Sequence, residues 1–136
     1  MQEKQLVLVT YEQAKKLKEM GFDWKTRYRF YHYENEIHCG KGEEENYNQN
    51  FEYRYTSIEC SAPTVALALK WFRDVKGKFN FVVPDFEYEK TLKFNYVVLG
   101  ADTRIIGNKH FNTYEEAESA LLDALLEHCE QEVKNA

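Results

Sequence analysis

The chain has 136 residues and a net charge of −5, with 18 Lys and Arg residues against 23 Asp and Glu residues. A chain of this length can bury a core without disulfide bonds, and 43% apolar with 30% charged residues indicates a folded globular protein. The acidic balance argues against non-specific nucleic-acid binding, because that function needs a basic surface. We predict a single α+β domain spanning residues 1–136.

Cellular location is predicted from the start of the chain and from the cysteines. No opening segment combines a basic region with a long apolar run, so neither export nor contact with a membrane is expected. The three cysteines cannot all pair with one another, and none belongs to a Cys-x-x-Cys motif. We therefore predict a protein of the reducing cytoplasm.

The first predicted elements are a short helix and a hairpin. Thr10 and Gln13 have the spacing of a capping box, and Gly21 can adopt the left-handed conformation that ends a helix. Cationic and aromatic residues alternate through residues 25–33, which is typical of a β-strand. We expect this strand to pair with residues 51–55, which alternate in the same way, and we expect residues 40–50 to form a flexible acidic loop.

A second helix, three strands and a third helix follow along the chain. Apolar residues recur at helical spacing through residues 63–75, and an alternating pattern predicts strands at residues 79–83, 92–98 and 104–106. Thr113 begins a last helix whose outer face is strongly acidic.

The predicted fold is a mixed α+β domain with the order α-β-β-α-β-β-β-α. The strand connections are too short for parallel crossovers, which predicts an antiparallel sheet with the three helices packed on one face. The expected core consists of Leu17, Phe30, Tyr53, Leu69, Phe72, Phe81, Phe94, Tyr96, Leu121 and Leu125.

The spacing of His and Cys residues does not indicate metal binding or covalent catalysis. His38 and Cys39 are adjacent, and neighbours on a strand point to opposite faces, while zinc knuckles use ligands two to four residues apart. The chain has neither a phosphate-cradling glycine loop nor a nucleophile elbow. Cys60 is an alternative candidate for a reactive thiol, because it lies just before a predicted helix, whose free amide donors could lower its pKa. We predict no metal ion, no cofactor and a non-enzymatic function.

A cationic and aromatic ribbon is the candidate ligand surface. Two arginines and a tyrosine should project from the same face of the first strand. A further arginine lies between two tyrosines on the expected partner strand. Guanidinium groups beside aromatic rings can hold a phosphate and stack a base. The alternative is an ordinary sheet in which arginines pair with glutamates across the strands. The candidate ligand-binding residues are Arg27, Arg29, Tyr31, Tyr53, Arg54 and Tyr55.

Three stretches of the chain carry a resemblance to other proteins. They read VTYEQAKKLKEMGF at residues 9–22, SAPTVALALKWFRD at 61–74 and NTYEEAESALL at 112–122. These stretches resemble a group of uncharacterised small proteins from gut bacteria of the Bacteroides type and from their phages and mobile elements. The resemblance covers the three helices and their order. It implies such an origin, with a phage or mobile-element context, and it supplies no catalytic residues.

Taken together, these features predict a binding or interaction module. Its partner is an unknown protein or a second copy of the chain, and its working surface is an uncovered sheet face or the acidic last helix. Exposed Tyr residues on that face would favour a homodimer, because large exposed aromatic patches tend to be interfaces. The alternative is a protein that binds and sequesters a small, nucleotide-type ligand on the sheet face lined by arginine and tyrosine.

Overall fold

The computed structural model describes residues 7–49, 57–85 and 92–135. The helices and strands in these ranges are, in chain order, α1 (Tyr11–Glu19), β1 (Thr26–Tyr33), β2 (Glu36–Glu45), β3 (Ser57–Ser61), α2 (Val65–Asp74), β4 (Phe79–Asp85), β5 (Lys93–Leu99), β6 (Arg104–Ile106) and α3 (Tyr114–Lys134). The predicted mixed α+β class, with three helices and antiparallel strands, is confirmed. The described strands form two three-stranded sheets where one sheet was predicted. Contacts cluster into two compact units, Met1–Thr64 and Val65–Ala136.

Helix α1 of the first unit has both ends that the sequence predicts. The Thr10 hydroxyl accepts a hydrogen bond from the Gln13 backbone N–H at 3.1 Å, and the Gln13 side chain accepts one from the Thr10 backbone N–H at 3.0 Å. At the other end Gly21 has a φ of +91°, and the Phe22 N–H donates to the Leu17 carbonyl at 3.0 Å. These bonds satisfy backbone groups that a helix leaves unpaired at its ends.

The first sheet has β1 in the centre, flanked by β2 and β3. The β1–β2 hairpin turns at Glu34 and Asn35, whose φ values of 51° and 63° are of the sign that a tight type I′ turn requires. Because β2 extends to Glu45, residues 40–45 belong to a strand and not to the flexible acidic loop predicted for residues 40–50. The predicted partner strand at residues 51–55 lies outside the described residues, and β3 pairs with β1 on the side away from β2.

The second unit consists of α2, the sheet β4-β5-β6 and α3. Its buried apolar residues come from both helices and the central strand: Val65, Ala68, Leu69, Trp71, Phe72, Val98, Ala117, Leu121, Leu122, Leu125, Leu126 and Cys129. No helix within the described ranges is long and apolar enough to cross a bilayer.

The predicted core is confirmed at Leu17, Phe30, Leu69, Phe72, Leu121 and Leu125, which are all buried. Phe94 and Tyr96 are only half-buried, and Tyr53 lies outside the described residues. The prediction is wrong at Phe81, which is 44% exposed. The neighbouring Asn80 takes the inward position, where its side-chain amide donates to the carbonyl oxygens of Leu69 and Lys78, both at 3.0 Å. Successive strand residues point to opposite faces, so Phe81 turns outward.

Candidate functional site

Arg29 is the predicted site residue that the structure holds most firmly. Its side chain lies across Gly42 of β2, where any Cβ would collide with the guanidinium group. The guanidinium carbon lies 5.2 Å from the centre of the buried Tyr47 ring, and Nη1 donates to the Tyr47 hydroxyl at 3.5 Å. The Tyr47 hydroxyl in turn donates to the Glu43 carbonyl. An arginine on an aromatic ring and a glycine backbone is thus fixed in one orientation.

Tyr31 lies beside Arg29 on the same sheet face and uses a second glycine. A Cβ at Gly40 would lie 2.9 Å from Cε1 of the Tyr31 ring, which is closer than real Cβ contacts. The ring stacks on His38 with centroids 5.7 Å apart and planes 27° apart, and Tyr33 meets the same imidazole edge-on. Two alternating glycines therefore give one cationic and one aromatic side chain room to lie flat on the sheet.

Arg27 is exposed and lies on β1, the strand that also carries Arg29 and Tyr31. Within the described residues, neither arginine has a carboxylate within ion-pair distance, and the buried Nε of Arg29 has no hydrogen-bond partner. The cross-strand Arg–Glu pairing offered as the alternative is therefore not formed in this part of the chain. The other three candidate residues, Tyr53, Arg54 and Tyr55, lie outside the described residues.

The opposite face of the first sheet is covered by α1. The β1–β3 register shifts between Phe30 and Tyr31, which leaves Glu59 as a bulge residue, and bulges re-aim side chains. One Glu59 oxygen lies 2.6 Å from Nε2 of His32, and the other accepts from the Tyr11 hydroxyl at 3.4 Å. The Tyr11 ring also packs edge-on against Phe30 at 5.4 Å. These contacts bind helix to sheet.

Cys60 does not have the properties of a reactive thiol. It is fully buried, and desolvation raises its pKa to about 11. The thiolate is the nucleophilic form, and a thiol with this pKa is neutral at physiological pH. The reactive-thiol alternative is therefore unsupported. The described residues also contain no cluster of three His, Cys, Asp or Glu side chains that could hold a metal ion.

The second sheet presents a feature that sequence reasoning missed, an outward face made of apolar side chains. Phe79 is 64% exposed, Ile106 is 54% exposed and Leu99 is 39% exposed. Phe79 pairs with Leu99, Phe81 pairs with Val97, and Val97 pairs with Ile106, so these side chains share one face. We call this surface the apolar sheet face; it consists of Phe79, Phe81, Val97, Leu99 and Ile106. The exposed Arg104 pairs with Leu99 and borders these apolar side chains on the same face.

A polar network on the second unit ties the sheet to the end of α3. The Lys78 ammonium group donates to the Thr103 hydroxyl at 3.2 Å and to Glu132 Oε1 at 2.8 Å. His128 Nε2 lies 3.2 Å from the same hydroxyl and 3.0 Å from the same carboxylate oxygen. The hydrogen bond from Lys78 lowers the pKa of Glu132. Each member of the network is satisfied by another, which indicates a structural role.

Comparisons of the chain with protein-family models, with curated protein sequences and with solved structures found no match.

Proposed function

We propose that the chain is a non-enzymatic interaction module whose apolar sheet face binds a protein partner, and that a second copy of the chain is such a partner. The observation that carries this proposal is the reversed pattern of β4. A sheet with helices on one face normally buries apolar residues against them and turns polar residues to water. In β4 the polar Asn80 is 2% exposed, whereas Phe79 and Phe81 face outward.

The size of the exposed surface supports binding. Phe79 is 64% exposed, so it presents roughly 130 of the about 200 Å² typical of an aromatic side chain. Covering that area is worth up to about 3 kcal/mol at about 25 cal/mol per Å². The neighbouring Ile106 and Leu99 extend the same patch. Contiguous apolar patches larger than a few hundred Å² are uncommon on monomers, and a two-fold axis lets one such patch bind its own copy.

Light scattering across a concentration series tests the proposal. The full chain should be dimeric at high concentration, and the double variant Phe79→Ser, Ile106→Ser should be monomeric. Val75→Ser is the matched control, because Val75 is 53% exposed on the same unit but directly follows α2 and belongs to no strand of the sheet. A wild-type chain that stays monomeric throughout, or a control that dissociates as readily as the double variant, contradicts the proposal.

The setting of this module is part of the proposal. The cysteine usage and the resemblance to proteins of Bacteroides-type bacteria and their mobile elements support a cytoplasmic protein of that origin. The three free cysteines, one exposed and two buried, are compatible with a reducing compartment.

A second candidate function is the binding of a small nucleotide-type ligand on the face that carries Arg29 and Tyr31. It is favoured by a fixed guanidinium group that, among the described residues, has no carboxylate partner. A thermal-shift screen of nucleotides tests it, because a ligand that binds only the folded state raises the melting temperature. Arg29→Ala should abolish the shift, and Arg104→Ala, an exposed arginine of the second unit, should not. Equal loss in both variants would contradict this candidate.

A further inference from the structure

A cleft in the second unit, lined by α2, β4 and α3, has the features of a small-molecule site. Its volume is about 390 Å³, within the lower part of the range of ligand pockets. The buried Leu69 and Leu121 lie at its base, and Phe81 and Tyr114 supply exposed aromatic rings, of which Tyr114 meets Phe94 edge-on at 5.9 Å. The polar side chains that line this cleft are Arg73, Asn80 and Glu118.

The arginine in this cleft is positioned by a buried amide. Asn80 is held by its two donated hydrogen bonds, and its Oδ1 accepts from Arg73 Nη1 at 3.0 Å. The Asn80 backbone carbonyl also accepts from Nη1, at 3.4 Å. One end of the guanidinium group is therefore fixed. The Nε and Nη2 edge of Arg73 has no hydrogen-bond partner among the described residues.

We infer that this cleft binds a small aromatic carboxylic acid, with the ligand carboxylate on the Nε and Nη2 edge of Arg73 and the ligand ring beside Tyr114. Two parallel N–H groups on one guanidinium edge match the two oxygens of a carboxylate, which a lysine cannot do. The exposed rings of Phe81 and Tyr114 suit a planar ring. The cleft shares Phe81 with the apolar sheet face, whereas Arg73, which holds the ligand carboxylate, lies on α2 outside that face.

Glu118 is compatible with an anionic ligand in the same cleft. Among the described residues it forms no ion pair with Arg73, so it does not occupy the guanidinium edge. Burial raises the pKa of Glu118, and the neighbouring Glu115 raises it further, against the lowering effect of Arg73. Glu118→Gln keeps the shape of the side chain and removes its negative charge, so the binding of a carboxylate should tolerate this change.

Titration of the full chain with sodium benzoate, followed by the ¹⁵N NMR signals of the Arg73 Nε–H and the Asn80 side-chain amide, tests the inference. Both signals should shift and saturate, and benzamide, the uncharged analogue, should bind at least about tenfold more weakly. Arg73→Met keeps the apolar stem and should weaken benzoate at least about tenfold. Arg104→Met, the matched control, should bind like the wild type.

Two further variants keep the test decisive. If Arg73→Met loses its dispersed spectrum, Arg73→Lys retains the charge without the fork and should also bind about tenfold more weakly. Glu118→Gln should bind benzoate at least as tightly as the wild type. The inference is overturned if the folded wild-type chain gives no saturable shift, if benzamide binds as well as benzoate, or if the Arg73 variants bind unchanged.

Discussion

The reversed pattern of β4, with Asn80 buried and the phenylalanines exposed, predicts an unusual ranking of two variants by stability. Asn80 is 2% exposed and takes part in three side-chain hydrogen bonds of 3.0 Å, with Leu69, Lys78 and Arg73. At about 1 kcal/mol for each bond, Asn80→Ala should lower the free energy of unfolding by about 3 kcal/mol. Phe79→Ala removes a ring that buries only about 70 Å², so at about 25 cal/mol per Å² it should cost less than about 2 kcal/mol.

A strand that buried its phenylalanines and exposed its asparagine would give the opposite ranking, with Phe79→Ala the more destabilising variant. A buried phenylalanine costs about 3–5 kcal/mol when truncated to alanine, whereas an exposed asparagine costs about 0.5 kcal/mol or less. Urea unfolding followed by the fluorescence of Trp24 and the buried Trp71 measures both variants. The protein concentration should be below that of self-association, so that a partner does not stabilise Phe79. A larger loss of unfolding free energy for Phe79→Ala than for Asn80→Ala would refute this burial pattern.

Three further predictions concern the first unit and the end of α3. Gly42→Ala should displace the Arg29 guanidinium from the Tyr47 ring, because the new methyl group meets it; an unchanged NMR signal of the Arg29 Nε–H would contradict the glycine's role. Alkylation with iodoacetamide followed by mass spectrometry should label the exposed Cys39 first and Cys60 only on unfolding, because burial raises the Cys60 pKa to about 11. The lowered pKa of Glu132 stabilises the fold above its ordinary value of 4.5, and this contribution is lost as the pH falls through the lower folded value. Glu132→Gln should flatten that acid dependence of the melting temperature.

Local signals in the sequence predicted the helices well. The Thr10 and Gln13 capping box and the Gly21 ending are contacts between residues near in sequence, so their spacing alone specifies them. Thr113 likewise accepts from the Glu116 backbone N–H at 3.1 Å at the start of α3. Such bonds need no information about the rest of the fold.

The errors arose where distant residues decide the structure. Residues 40–45 have the composition of a loop, and only the cross-strand side chains of Arg29 and Tyr31 explain why glycines occupy this strand. The partner of Arg29, Tyr47, lies 18 residues away along the chain. Composition could not reveal either relation.

The same limit applies to the apolar sheet face. Alternation in β4 separates two faces without showing which one meets the helices. The hydrogen bonds of Asn80 with Leu69 and Arg73 of α2 decide that, and they depend on tertiary structure. The signal in the sequence was Asn80 between Phe79 and Phe81. If Asn80 faces the helices, the two phenylalanines face outward, where a partner can cover them.

The location of the dimer contact tests the central proposal most directly. An isotope-filtered NOE spectrum of a mixture of labelled and unlabelled chains reports only contacts between two copies. We expect cross-peaks from the methyl groups of Ile106 and Leu99 to the Phe79 ring of the other copy. Intermolecular cross-peaks confined to another surface, or none at concentrations where light scattering detects a dimer, would contradict binding through the apolar sheet face.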